Sequence, residues 1–148
     1  MTENELLKAD PRDLSRIKEL LRICELPNED IEAAYLEHFL ILRDGGQLIS
    51  TVGLEILGEA ALLRSLAVRP THRRQGYASE LVRQIEEFAH SQHVDRLYML
   101  TTTAEGFFAK YGYERTKRAE VPTAVAGTTE FASLCPDSAV CMVKKLSD

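Results

Sequence analysis

Residues 38–68, HFLILRDGGQLISTVGLEILGEAALLRSLAV, hold three apolar stretches of strand length separated by two glycine-bearing turns. Glycine tolerates the positive φ that short hairpin turns demand, so Asp44-Gly45-Gly46 and the turn around Gly58 predict an antiparallel meander. NELLKAD reads as an earlier strand. Asp10 then caps a helix that has Pro11 at its first position and Leu14, Ile17, Leu20, Leu21 and Cys24 at helical spacing. ELPNEDIEAAYLE reads as a loop and a short helix. After the meander, residues 76–91 place Ala78, Leu81, Val82, Ile85, Phe88 and Ala89 on one helix face. DRLYMLTTT is a strand, and Thr102 with Glu105 resembles a capping box for the short helix AEGFFAKY, which Gly112 ends. YERTKR is expected as a strand, PTAVAGTTEFASL as a helix and SAVCMVKK as the closing strand. The order gives a mixed α/β sheet.

The chain has 148 residues and 45% hydrophobic content, which suits one domain spanning residues 1–148. The absence of a long apolar run and of a signal-like N-terminus reads as a cytoplasmic protein without a membrane span. A net charge of -5 argues against a nucleic-acid partner. Cys24, Cys135 and Cys141 form no CxxC pair and read as small buried hydrophobes rather than a disulfide framework or a metal knuckle. The four histidines make no HExxH or HxH pattern, so no metal is expected.

Against that acidic background, LAVRPTHRRQGYASEL places Arg69, His72, Arg73 and Arg74 between a strand and a helix beginning at Gly76. A helix start offers unpaired N–H groups and the positive end of its dipole, which favours an anion. Gly76 and the small Ala78 let a phosphate approach the backbone. The spacing fits neither GxGxxG nor the Walker pattern, so a Rossmann or P-loop site has no support.

Arg73-x-x-Gly76-x-Ala78, preceded by LAVRP and followed by the amphipathic helix, resembles the [RQ]xxGx[GA] acetyl-CoA signature of the GCN5-related N-acetyltransferase (GNAT) family. LYMLTTTAEGFFAKYGY resembles that family's second landmark, a strand and short helix ending in aromatic-Gly-aromatic. The resemblance covers nearly the whole chain. ALLRSLAV, TTTAEGFF and TTEFASLCPDSAVCMVKKL are also similar to a small subgroup named as arsenic-resistance N-acetyltransferases.

The resemblance implies a mostly antiparallel sheet of about seven strands, flanked by helices and splayed to admit acetyl-CoA. Arg73, Arg74, Gln75, Gly76, Tyr77, Ala78 and Ser79 would hold the pyrophosphate. Leu66, Ala67 and Val68 would lie along the pantetheine arm as β-augmentation does, and an N–H of that strand would polarise the thioester carbonyl. Phe108, expected at the coenzyme A site, stands where many family members carry a proton-donating tyrosine, and phenylalanine cannot donate. Tyr111, one turn on, is either the substitute donor or a core aromatic. Thr102, with Thr101, would orient a water or cap the helix.

The attacking amine must be neutral, which calls for a base, and Glu55 is the candidate. A two-residue turn at Gly58 and Glu59 sets Glu55 diagonally across from Arg64 on adjacent strands. Arg64 interrupts an apolar run and needs a partner. It is either a structural mate of Glu55 or a clamp for a substrate carboxylate, pointing to the same face as Leu66 and Val68. The expected activity is acetyl transfer from acetyl-CoA to a small-molecule amine, such as an amino acid or amino-acid-like toxin. The alternatives are a protein or peptide N-acetyltransferase and a non-catalytic acetyl-CoA-binding module. A homodimer is compatible with any of them. The segment from Pro122 to Leu134 is expected to fold over the acceptor side.

Overall fold

The computed structural model describes residues 4–134 and 138–146. Seven strands, β1 (Asn4–Lys8), β2 (Phe39–Asp44), β3 (Gln47–Leu57), β4 (Ala60–Val68), β5 (Arg96–Thr101), β6 (Glu114–Arg115) and β7 (Val140–Lys145), form one sheet. Their spatial order is β1-β2-β3-β4-β5-β7-β6, and every neighbouring pair is antiparallel except β4 and β5. The meander forms as expected. Leu57 pairs with Ala60 across a two-residue turn in which Gly58 has φ +75°.

The helices are α1 (Leu14–Ile23), α2 (Tyr77–Ser91), α3 (Glu105–Lys110) and α4 (Thr123–Ala126). Asp10 caps a 3-10 turn, Pro11–Asp13, that runs into α1, accepting from the Arg12 N–H at 2.9 Å. One sheet face takes the apolar stripe of α2, with Leu81, Val82, Ile85 and Ala89 against Val52, Leu54, Ala61 and Leu63. At roughly 1.5–3 kcal/mol for each fully buried large aliphatic side chain, this stripe holds α2 in place. The other face is shared. Ile17, Leu20 and Leu21 of α1 cover Phe39, Ile41 and Ala67, while Val125 and Phe131 cover Leu62, Tyr98 and Cys141.

Three local expectations need correction. The strand expected over YERTKR is only Glu114–Arg115. The helix expected over PTAVAGTTEFASL is α4, a break at Gly127 and Thr128, and a π-helical turn, Glu130–Leu134. Thr102 caps nothing: Ala104 occupies the N-cap of α3, and its N–H donates to Thr101 Oγ1 at 2.9 Å.

Two irregularities in β4 shape the molecule. Ser50 and Thr51 pair with Val68 and Ala67, but Gly53 pairs with Arg64, so β4 carries an extra residue and Ser65 takes φ +62°. A bulge of this kind bends the strand and shifts the phase of its side chains. Leu63 and Leu66 consequently pack on the α2 face, while Ala67 packs on the α1 face. The expectation that Arg64 shares a face with Leu66 fails for that reason. The second irregularity is a splay. The parallel pairing of β4 with β5 covers Ala60↔Arg96 to Leu62↔Tyr98 and stops there, although both strands continue.

Cys141 is buried, and burial pushes its thiol up to about 11; Cys24 is half-buried. Cys135 lies outside the described residues. No helix among the described residues is long and apolar enough to cross a membrane.

Candidate active site

The splay between β4 and β5 opens into a cavity of about 860 Å³. Its walls come from β4 between Leu63 and Val68, the end of β5, the loop before α2, the first turn of α2, and the aromatic pair Phe107 and Phe108. This size falls within the range of small-ligand sites. Beyond Leu62, the β5-facing edge of β4 has no ladder partner, so an extended ligand can lie along it.

One end of the cavity is cationic. His72, Arg73 and Arg74 border it together with Gly76, Tyr77, Ala78 and Ser79, whereas Gln75 does not reach the wall. Gly76 is the N-cap of α2 with φ +85°, and Arg74 before it has φ +64°. Open space lies where a side chain at position 76 would project. The first N–H groups of a 15-residue helix therefore face the cavity with no side chain in the way. Arg73 folds back: its Nε donates to the Val68 carbonyl at 3.2 Å, and its Nη2 lies 3.5 Å from Cys24 Sγ. His72 faces Asp44 at 3.4 Å. Leu66, Ala67 and Val68 all line the cavity.

The other end is built around Arg64, four strand residues or about 13 Å from Val68. Its side chain is fully buried. Nη1 donates to Asp30 Oδ2 at 2.5 Å and Glu55 Oε2 at 2.8 Å, Nη2 donates to Asp30 Oδ1 at 2.7 Å, and Nε donates to Ser65 Oγ at 3.1 Å. Glu130 Oε2 completes the ring at 3.3 Å from Nη2. All five N–H donors thus face protein oxygens. The diagonal Glu55–Arg64 pair forms as the register required, and Glu55 stands behind Arg64 rather than on the cavity wall. Burial opposes the charge of Arg64, but the carboxylates around it more than compensate and raise its pKa. Burial likewise raises Asp30, and the hydrogen bonds and charge of Arg64 outweigh it, leaving Asp30 below its usual value. Glu130 is different. Burial, aided by Asp30 and Glu55 and opposed by Arg64, pushes it up to about 7.

Asp30 and Glu130 went unread in the sequence. The available signal was compositional: Glu130 is the only charged residue between Val121 and Leu134, just as Arg64 is the only one in β4.

The aromatic positions separate. Phe108 is buried on the cavity wall, edge-on to Tyr113 at 5.3 Å. Tyr111 is not on that wall. It borders an adjoining depression beside α2 that shares Gly76 and Ser79 with the cavity wall, and its hydroxyl lies 2.5 Å from Ser79 Oγ. Thr102 is on the cavity wall with Thr101 and Thr103.

Comparison with known proteins places this geometry. Residues 5–113 match the family described as the Acetyltransferase (GNAT) family. An amino-acid acetyltransferase of Pseudomonas aeruginosa is 28% identical over 135 residues, covering 86% of this chain and 31% of that protein. The corresponding protein of Pseudomonas fluorescens is 31% identical over 98 residues, 65% of this chain and 23% of that protein. The chain therefore spans about a third or less of the length of the curated relatives it matches. Among solved structures, N-acetylglutamate synthase from Neisseria gonorrhoeae, complexed with coenzyme A and N-acetyl-glutamate, superposes with a TM-score of 0.86 at 21% identity, covering 100% of this chain and 36% of that one. A GNAT-family acetyltransferase from Staphylococcus aureus Mu50 superposes with a TM-score of 0.74 at 16% identity, over 98% and 100% of the two chains.

Proposed function

The chain belongs to the GNAT acetyltransferase family, and from that premise we propose that it transfers the acetyl group of acetyl-CoA to the primary amine of a small molecule, an amino acid or an amino-acid-like compound. The observation that carries this reading is one continuous cavity with a helix N-terminus and arginines at one end and a buried carboxylate at the other. The clear space before Gly76 fits a pyrophosphate, which Arg73, Arg74 and the N–H groups at residues 76–79 would hold. The unpaired edge of β4 fits the pantetheine amides, and the bulge at Ser65 turns the backbone beside the place where the thioester would arrive.

The small-molecule acceptor is supported by the strap formed by residues 122–134, which holds α4 and the π-helical turn. Its Val125 and Phe131 pack on β4, β5 and β7, and its Glu130 reaches the cavity wall beside Arg64, so the segment lies against the acceptor end. Amino acids are favoured because the matched relatives are amino-acid acetyltransferases. An arsenic- or phosphorus-bearing amino-acid analogue, the narrower acceptor suggested by the arsenic-resistance resemblance, presents the same amine chemistry. Arg64 serves this reading by organising the acidic wall. A substrate carboxylate could take its fork only by displacing a carboxylate already there.

Phe108 supplies no proton to the departing thiolate, and Tyr111 stands off the cavity. A thiol with a pKa near the cysteine value of about 8.5 leaves without a dedicated acid. The test is thiol release from acetyl-CoA with the twenty L-amino acids, their arsenic and phosphorus analogues, ethylamine and a lysine-containing peptide. Acetylated amino acids identified by mass spectrometry support the reading. Acetylation of the peptide alone, or acetyl-CoA binding without turnover, overturns it.

A further inference from the structure

Acetyl transfer to an amine leaves one problem that the cofactor end of the cavity does not address. A primary ammonium has a pKa near 10, so at neutral pH the acceptor arrives protonated and without a lone pair. Some group at the acceptor end must receive that proton.

Of the four charged side chains in the Arg64 cluster, only Arg64 and Glu130 reach the cavity wall; Glu25 and Glu29 also border the cavity, but both are exposed to solvent and neither pairs with Arg64. Arg64 is a donor throughout. Asp30, on the loop after α1, is bound to the guanidinium through both oxygens, and Glu55 of β3 is bound through Oε2. Glu130 is held least: its link to Arg64 is a 3.3 Å ion pair, longer than the 2.5–2.8 Å bonds of the other two. Its side chain is only 5% exposed, so what it meets must come from inside the cavity. With all carboxylates ionised, three negative groups face one positive one, and a cation is the species that completes the cluster.

We propose that Glu130 binds the ammonium group of the acceptor and takes its proton, so that the acceptor enters the site as a cation. This rests on the acetyl-transfer reading of the same cavity. In the step, an N–H bond of the ammonium breaks and an O–H bond forms on Glu130. The freed lone pair makes the C–N bond to the acetyl carbonyl carbon, and the C–S bond breaks with its electron pair on sulfur. The second nitrogen proton goes to sulfur, directly or through solvent, and Glu130 returns its proton to solvent. One ammonium and one acetyl-CoA thus give one acetamide, one thiol and one proton.

Burial, helped by the negative charge of Asp30 from the loop and Glu55 from β3, outweighs the opposing charge of Arg64 from β4 and brings the Glu130 carboxyl up to about 7. A base with a pKa near the working pH is the effective kind, because it is ionised enough to act and basic enough to accept. Asp30 has moved the other way and faces no cavity.

Two measurements test the proposal. The first is carboxyl-carbon NMR of the whole protein with coenzyme A bound, the Glu130 signal assigned by its loss in Glu130→Gln. Millimolar ethylammonium chloride should lower the Glu130 midpoint by at least about half a pH unit, and equal tetramethylammonium chloride, which has no N–H, should do so much less. The second is the pH profile of kcat/KM for the best acceptor of the amino-acid and ethylamine panel. It should rise tenfold per unit below pH 7 and level off there. Glu130→Gln should lose that limb and about 10²- to 10⁴-fold in rate, while Glu55→Gln keeps the limb.

An unmoved midpoint overturns the proposal, as does a profile that climbs to the acceptor's own pKa, since the amine then binds neutral. If Glu130→Gln does not fold, the midpoint in the native protein, assigned by selective glutamate labelling, still decides. If no amine is acetylated, the acetyl-transfer reading fails, and the ethylammonium titration judges Glu130 by itself.

Discussion

Gly76 and Gly58 offer a matched pair of substitutions. Both have positive φ, +85° and +75°, and a Cβ at either meets nothing within 4 Å. An alanine at either position carries the same backbone strain, about 1–2 kcal/mol, and no clash. For a domain of this size that lowers Tm by roughly 2–8 °C. The two differ only in place: Gly58 turns the β3–β4 hairpin, whereas Gly76 stands at the N-terminus of α2 facing the cavity. A methyl group there intrudes on the space a pyrophosphate would fill, and displacing a charge-assisted hydrogen bond costs about 1.5–3 kcal/mol. Gly76→Ala should therefore weaken coenzyme A binding by roughly 10- to 150-fold, while Gly58→Ala leaves it within about twofold. Differential scanning fluorimetry of each variant gives the strain, and isothermal titration with coenzyme A gives the affinity. Equal affinities in the two variants, with both Tm values lowered, would refute the assignment of α2's N-terminus as the phosphate site.

Two further outcomes follow from the same geometry. Between the ordinary carboxyl value of 4.5 and about 7, folded Glu130 holds a proton that the unfolded chain releases, so folding stability falls as pH rises through that window, by about 3 kcal/mol in all; urea melts at intervals from pH 4.5 to 8 should show this slope, and Glu130→Gln should flatten it. Tyr111 borders a depression outside the cavity, so Tyr111→Phe should change turnover by less than about twofold in steady-state assays, and a tenfold loss would restore it as the proton donor to the thiolate.

What the sequence disclosed was whatever depends on near neighbours. The Gly58 turn and the two-residue register that follows from it are local, and they sufficed to pair Glu55 with Arg64. The helix start at Gly76 is local as well. The bulge in β4 was not legible, because Ser65 adopts φ +62° with no glycine to announce it, and one extra residue moved Leu66 away from the face of Arg64. The strap failed for a similar reason. Gly127 and Thr128 interrupt what hydrophobic spacing alone reads as one helix. Asp30 and Glu130 were beyond reach because they lie 34 and 66 positions from Arg64, and only the folded sheet, α1 and the strap bring them together. A buried arginine announces that it has partners without saying where in the chain they are.

Arg64 is where the two accounts given by the sequence now diverge in measurable terms. If it organises the acidic wall, its replacement is first a matter of stability. Arg64→Met leaves Asp30, Glu55 and Glu130, with side chains 8%, 15% and 5% exposed, facing one another with no cation. Removing one member of a buried ionic group costs about 3–5 kcal/mol. The pH dependence has a definite sign. Without the guanidinium, mutual repulsion and burial raise the folded-state carboxyl pKa values above their unfolded values, so stability is present at low pH and lost as pH rises through the raised values. The variant should thus be far weaker than the native protein in urea at pH 8 and recover much of the difference at pH 5. Arg64→Lys keeps a charge, but its ammonium cannot span both oxygens of Asp30 and also serve Glu55, Glu130 and Ser65. It should fall between the two and show the same trend. If Arg64 instead clamps a substrate carboxylate, Arg64→Lys will raise KM for amino acids, leave KM for ethylamine unchanged, and leave the urea midpoint where it was. That combination would return Arg64 to the substrate and remove the acidic wall as the acceptor's recognition element.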